Sequence, residues 1–96
     1  MGPYSNHTHI TSADANSSVV VSTLNGATLG KITINKTSAH ALTVYDADDA
    51  TELGPVIAVI KASIAEQTLD YCVNVHKGII IAVPSSYDGD VTVSHR

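Results

Sequence analysis

Neither phenylalanine nor tryptophan occurs in this chain, and its aromatic content is four tyrosines. A core without large rings is built from valine, isoleucine and alanine. Each aliphatic side chain buried contributes roughly 1.5–3 kcal/mol, so a lone domain of this length is only marginally stable. Cys72 is the single cysteine, which excludes an internal disulfide and a Cys/His metal framework. Small domains lacking both are stabilised by association with further copies. Lys and Arg number five against nine Asp and Glu, a net charge of −4. Scattered basic residues in an acidic chain exclude the clustered cations that nucleic acid requires. The longest apolar runs, Val56–Ile60 and Ile79–Val83, are too short to span a bilayer as helices, so no membrane partner is expected. Residues 1–12 have no charged stretch followed by an apolar one, and no secretory leader is expected. One cysteine also suits a chain made in a reducing compartment.

What is present is β grammar. Residues 68–84 are the organising stretch. Leu69, Tyr71, Val73 and Val75 alternate with Asp70, Cys72, Asn74 and His76, a period of two that predicts a half-buried strand. His76-Lys77-Gly78 follows as a hairpin turn, with Gly78 supplying a positive φ. Ile79-Ile80-Ile81-Ala82-Val83 is then apolar on both faces. Such a strand is either central in a sandwich or covered by another subunit, because exposed it would aggregate.

Strands are predicted at 17–23, 27–35, 39–46, 55–62 and 90–95, with Ile32 and Ile34, Leu42 and Val44, and Val91 and Val93 inward. Asn25-Gly26 is a strong hairpin signal, and Gly30 within its strand marks a bulge or a close approach. Residues 47–54 form an acidic loop. Residues 1–16 read as a polar arm, within which 6–10 can form a short edge strand. Short strands about ten residues apart, separated by turn chemistry, predict an all-β fold: a single small antiparallel β-sandwich, jelly-roll-like, of seven or eight strands. The domain is assigned to 17–96 and the arm to 1–16.

No motif points to catalysis or to a cofactor. There is no nucleophile elbow, no phosphate-cradling glycine loop and no carboxylate pair beside a cleft. Cys72 reads as a small packed residue rather than a nucleophile. His7 and His9 share one face of an extended segment, a spacing that can hold zinc or nickel, yet a polar arm with two solvated histidines accounts for them. Asp46, Asp48, Asp49 and Glu52 crowd one loop but lack calcium-loop spacing. No metal is assigned. Tyr4 and Tyr87, in arm and turn, are the tyrosines best placed for surface contact, while Tyr45 and Tyr71 belong to strands.

One resemblance extends this reading. The succession Leu42-Thr43-Val44-Tyr45-Asp46, Gly54-Pro55-Val56-Ile57-Ala58-Val59-Ile60, Leu69 to Val75, Lys77-Gly78-Ile79-Ile80-Ile81 and Asp90-Val91-Thr92-Val93-Ser94 resembles small virion proteins of tailed bacteriophages. It spans roughly residues 18–96. The chain departs from their pattern at Val75, in place of Phe, and at His95, in place of an aromatic before the terminal Arg. The resemblance implies a capsid decoration (cement) protein or head-fibre domain: a β-sandwich homotrimer made in the host cytoplasm and displayed on the virion. Its implied partner is the major capsid protein. In that setting Pro3, Tyr4, His7, His9 and Ile10 are the expected arm contacts with shell or subunit. The faces of 55–60 and 79–83 are the expected core and trimer contact. The alternative is a receptor- or glycan-binding domain of a phage head or tail fibre, with Asp48, Asp49, Tyr87 and Asp88 as loop contacts. A third reading is an unrelated bacterial β-sandwich domain.

Overall fold

The computed structural model describes residues 6–96. Eight strands run in chain order: β1 Asn6–Ile10, β2 Ser17–Ser22, β3 Thr28–Lys36, β4 Leu42–Asp46, β5 Val56–Ile60, β6 Thr68–Asn74, β7 Ile79–Val83 and β8 Asp90–His95. They form two four-stranded antiparallel sheets. Sheet A has the order β1-β8-β3-β6 and sheet B the order β2-β7-β4-β5. The two sheets enclose one apolar core, so the fold is an all-β sandwich. No α-helix occurs among the described residues; Ser12–Asp14 is a single 3-10 turn.

The alternation read in the sequence holds where it was strict. Ile32, Ile34, Leu42, Val44, Val91 and Val93 all join the core, and Thr33, Thr43 and Tyr45 lie on the other faces of their strands. In β6, Leu69, Tyr71 and Val73 are half-buried while Asp70, Cys72 and Asn74 are exposed. Cys72 is therefore not packed inside. It sits at φ 52° in a bulge, where Tyr71 and Cys72 together oppose Gly30 of β3. The disruption that Gly30 signalled is thus real.

β7 resolves the either-or posed by a strand apolar on both faces. It is central in sheet B, paired with β2 on one side and β4 on the other. Ile79, Ile81 and Val83 enter the core. Ile80 faces outward between its cross-strand neighbours Val20 and Tyr45, and even so has no exposed surface.

The turns differ from expectation. Residues 76–78 do not close a hairpin, because β6 lies in sheet A and β7 in sheet B. Asn25-Gly26 likewise carries the chain from sheet B to sheet A. Among the seven connections between the described strands only β4–β5 stays within one sheet, and it is the acidic loop. Periodicity finds strands, but a tight turn can bridge two stacked sheets about 10 Å apart as readily as two neighbours in one sheet. Gly26 has the positive φ of 84° that its turn requires. Gly78 does not. Its constraint is space, since a Cβ there would meet the carbonyl oxygens of Ser22 at 2.3 Å and Ala47 at 2.7 Å.

The crossing at 76–78 is held by the last residue of the predicted strand 39–46, at the border of the acidic loop. Asp46 occupies the last inward position of β4 and is 6 % exposed. Its carboxylate accepts the backbone N–H groups of His76 (3.1 and 3.0 Å) and Lys77 (2.9 Å), with Gly78 at 3.5 Å. Burial opposes its ionisation, but those N–H groups, with His76 nearby, outweigh burial and hold the carboxyl below its ordinary value.

Asp46→Ala leaves these N–H groups without their acceptor and is expected to cost about 2–3 kcal/mol in chemical denaturation. The ionised form is the one stabilised, so its contribution is full above the unfolded value of about 3.9 and fades as pH falls below it. Stability measured from pH 6 down to pH 2 is expected to drop less steeply in Asp46→Asn, which keeps an acceptor but cannot titrate. An unchanged slope in that variant rules out Asp46 as a source of acid lability.

Candidate interaction surfaces

The outer faces of the two sheets differ in kind. On sheet A, strand register sets His9, Thr92, Thr33 and Thr68 in one row across β1, β8, β3 and β6. Their polar groups bond to one another and to neighbours. His9 Nε2 meets Asp90 Oδ1. Asn35 Nδ2 donates to Asp90 Oδ1 at 3.1 Å and to Thr92 Oγ1 at 3.0 Å. The Thr33 and Thr68 hydroxyls lie 3.3 Å apart, and His7 Nδ1 lies 3.2 Å from Ser94 Oγ. The hydrogen bonds from His9 and then Asn35 hold the Asp90 carboxyl below its ordinary value. His7 and His9 do share a face, as their spacing implied, but each is engaged with a residue of β8. Among the described residues no three His, Cys, Asp or Glu side chains come together as metal ligands would.

On sheet B the corresponding row is apolar. Val20 of β2 lies opposite Ile80 of β7, Ile80 opposite Tyr45 of β4, and Tyr45 opposite Val56 of β5. Beside it runs a second row, Ser18, Ala82, Thr43 and Val59. Val20, Val56 and Val59 remain 48 %, 53 % and 51 % exposed. Singly exposed valines are ordinary; a continuous apolar row across a whole sheet is not expected of a surface meant only for water.

The residues singled out from sequence scatter over the molecule. Pro3 and Tyr4 lie outside the described residues. Ile10 has no exposed surface and sits in the core, paired with Val91, so it is not available as a surface contact. His7 and His9 are exposed on the sheet A face. Asn6–Ile10, read as part of an arm, is strand β1 at the edge of sheet A. A capped turn follows it: Thr11 Oγ1 accepts from the Ala13 N–H (3.2 Å) and Asp14 Oδ2 from the Thr11 N–H (3.0 Å).

Tyr87 is 3 % exposed and belongs to the core cluster, so it offers no aromatic surface to a ligand. Burial, with the charges of Asp90 and Asp88, pushes its phenol above the ordinary value. Asp88 is exposed but accepts the Ser38 hydroxyl at 2.6 Å. His40 reaches that serine through its backbone N–H at 3.0 Å, not its ring, so the group closes a turn rather than activating a nucleophile. The cavity beneath Tyr87, floored by Ile34, Leu42 and Ile60, is about 10 Å³, hardly room for one water. In the acidic loop Asp48 and Asp49 are exposed, and Asp49 accepts the backbone N–H and hydroxyl of Thr51 at 2.9 and 2.8 Å.

Sequence reasoning missed Asp46 and the Val20 row. For Asp46 the available signal was its in-phase position: it follows Leu42 and Val44 at spacing two, and so points inward. No family model, curated protein or solved structure matches this chain.

β1 is tied to the sandwich by its one buried side chain more than by its histidines. Ile10→Ala is expected to cost about 3 kcal/mol, while His9→Ala, which removes an exposed pair, costs under about 1 kcal/mol. Urea denaturation of the two variants checks this ordering, and equal effects would contradict it.

Proposed function

We propose that this chain is a structural virion protein: a jelly-roll sandwich that binds the outside of a tailed-phage capsid as a homotrimer and stabilises the shell. The observation that carries the reading is the strand order, β1-β8-β3-β6 stacked on β2-β7-β4-β5. Read as the two Greek keys of a double-sheet jelly roll, an architecture shared by viral capsid and lectin domains, that order supports the assignment. The resemblance of residues 18–96 to phage virion proteins supports the viral branch. The role requires no chemistry. Binding to an assembled shell stabilises that shell by mass action, and the major capsid protein is the partner.

The fibre-domain alternative needs a ligand-binding loop surface. Its aromatic candidate, Tyr87, is buried, so among its loop candidates the exposed ones are Asp48, Asp49 and Asp88, none of which offers a ring to stack on a sugar. The geometry favours cementing over receptor binding.

The test is immunogold labelling of virus particles concentrated from the source culture, using antibody raised against the purified chain. Gold over the heads is expected. Gold confined to fibres transfers the chain to the receptor-binding role, and unlabelled particles overturn the virion assignment.

A further inference from the structure

We infer that the outer face of sheet B is the surface through which this chain packs on a second copy of itself. The large apolar side chains exposed among the described residues are Val20, Leu24, Leu53, Val56 and Val59. All five lie in strands of sheet B or in the loops leaving β2 and entering β5. β2 ends and β5 begins at the same end of the sheet, the end of the row through Val20, Ile80, Tyr45 and Val56. The exposed valines are therefore gathered on the sheet B face, with Leu24 and Leu53 in loops at one end of that sheet, and the other face is polar, its groups already bonded to one another.

Charge selects the occupant. β2, β7, β4 and β5 contain one charged residue, Asp46, and its carboxylate is turned into the 76–78 turn. The chain as a whole carries −4. Two copies meeting through charged surfaces would set like charges together and desolvate them. Through this face they meet with no charge to pair or repel, so the surface is compatible with itself.

Edge pairing is the other way two sandwiches can join, and the edges are blunted against it. β2 breaks register between Val20 and Ser22. β5 follows Pro55 and is bulged opposite Tyr45. β6 carries the Cys72 bulge. These are the devices that stop a sheet from extending into a neighbour. Association by faces is what remains.

Size sets the character of the contact. Four strands about 4.8 Å apart and five residues long present roughly 300 Å², well under the ~800 Å² per partner of a stable interface. The loops bearing Leu24 and Leu53 extend it, and the contact loosens on dilution. The inference rests on the reading of this chain as an assembly protein, and names the surface that reading uses.

The experiment is light scattering of the full chain at low and high micromolar concentration. The native chain is expected at a multiple of 10.0 kDa at the higher concentration, falling on dilution. The Val20→Lys/Val59→Lys double variant is expected at 10.0 kDa throughout. Thr68→Lys, which adds a charge to the sheet A face, is expected to behave as the native chain. A native chain that is monomeric at both concentrations overturns the inference, as does a double variant that still associates. If the lysine variant fails to melt cooperatively, Val20→Ser/Val59→Ser is read in its place. Adding both proteins to particles separates the two failures. A monomer whose particle binding is lost with Val20 and Val59 gives this face to the shell and leaves the virion reading standing. An oligomer that binds no particle leaves the interface standing and removes the virion reading.

Discussion

The carboxylate of Asp46 is where the two sheets are joined. Its backbone N–H donates to the Pro55 carbonyl at 2.9 Å, and its own carbonyl runs so close to Gly54 that a Cβ there would stand 2.1 Å from it. Its side chain gathers the N–H groups of the turn from β6 to β7. That turn in turn presses Gly78 against Ser22 and Ala47. The ends of β2, β4 and β6 and the starts of β5 and β7 therefore meet at one buried charge. A charge so placed persists only because backbone donors replace the water it lost. In a sandwich with a thin aliphatic core, this polar fastening sets where β7 enters sheet B, and hence which of its isoleucines face inward.

Much of the fold was legible because the signal was local. Alternation at Ile32/Ile34, Leu42/Val44 and Val91/Val93 needs only neighbours along the chain to be read correctly, and β7 and β8 begin and end where pattern and turn residues placed them. Pairing was not legible. Asn25-Gly26 and His76-Lys77-Gly78 have the chemistry of hairpins, yet both cross the sandwich, because turn chemistry specifies a reversal of direction and not which sheet receives the next strand. Gly78 shows the same limit: its type was noticed, but the reason lay in the carbonyls of Ser22 and Ala47, remote in sequence.

The candidate surface was half legible. The run at 79–83 reads from sequence as apolar on both faces, and 55–60 joins it only as an expected core and trimer contact. Val20 and Tyr45 could join them only once register set β2, β7, β4 and β5 side by side. Tyr87 misled in the opposite direction. A tyrosine within a polar turn reads as exposed, but here it fills the end of a core that has no phenylalanine or tryptophan to do so. The scarcity of rings that makes the core thin also draws inward the aromatic that the loop reading had offered to a ligand.

The strand order also bears on how the chain is made. Among the described strands β1 pairs with β8 alone, and β3 reaches β1 across β8. β1 thus waits for β8, the last of the described strands in chain order. Sheet B is bridged in the same way by β7, between β2 and β4. Both keystones come after the strands they join, so neither sheet can be completed until β7 and β8 have been made. Until they arrive, the Val19-Val20-Val21 run of β2 and the apolar strand β5 must be kept apart from those of neighbouring chains. The nascent half-sandwich, more than the finished one, is the form of this protein most in need of protection.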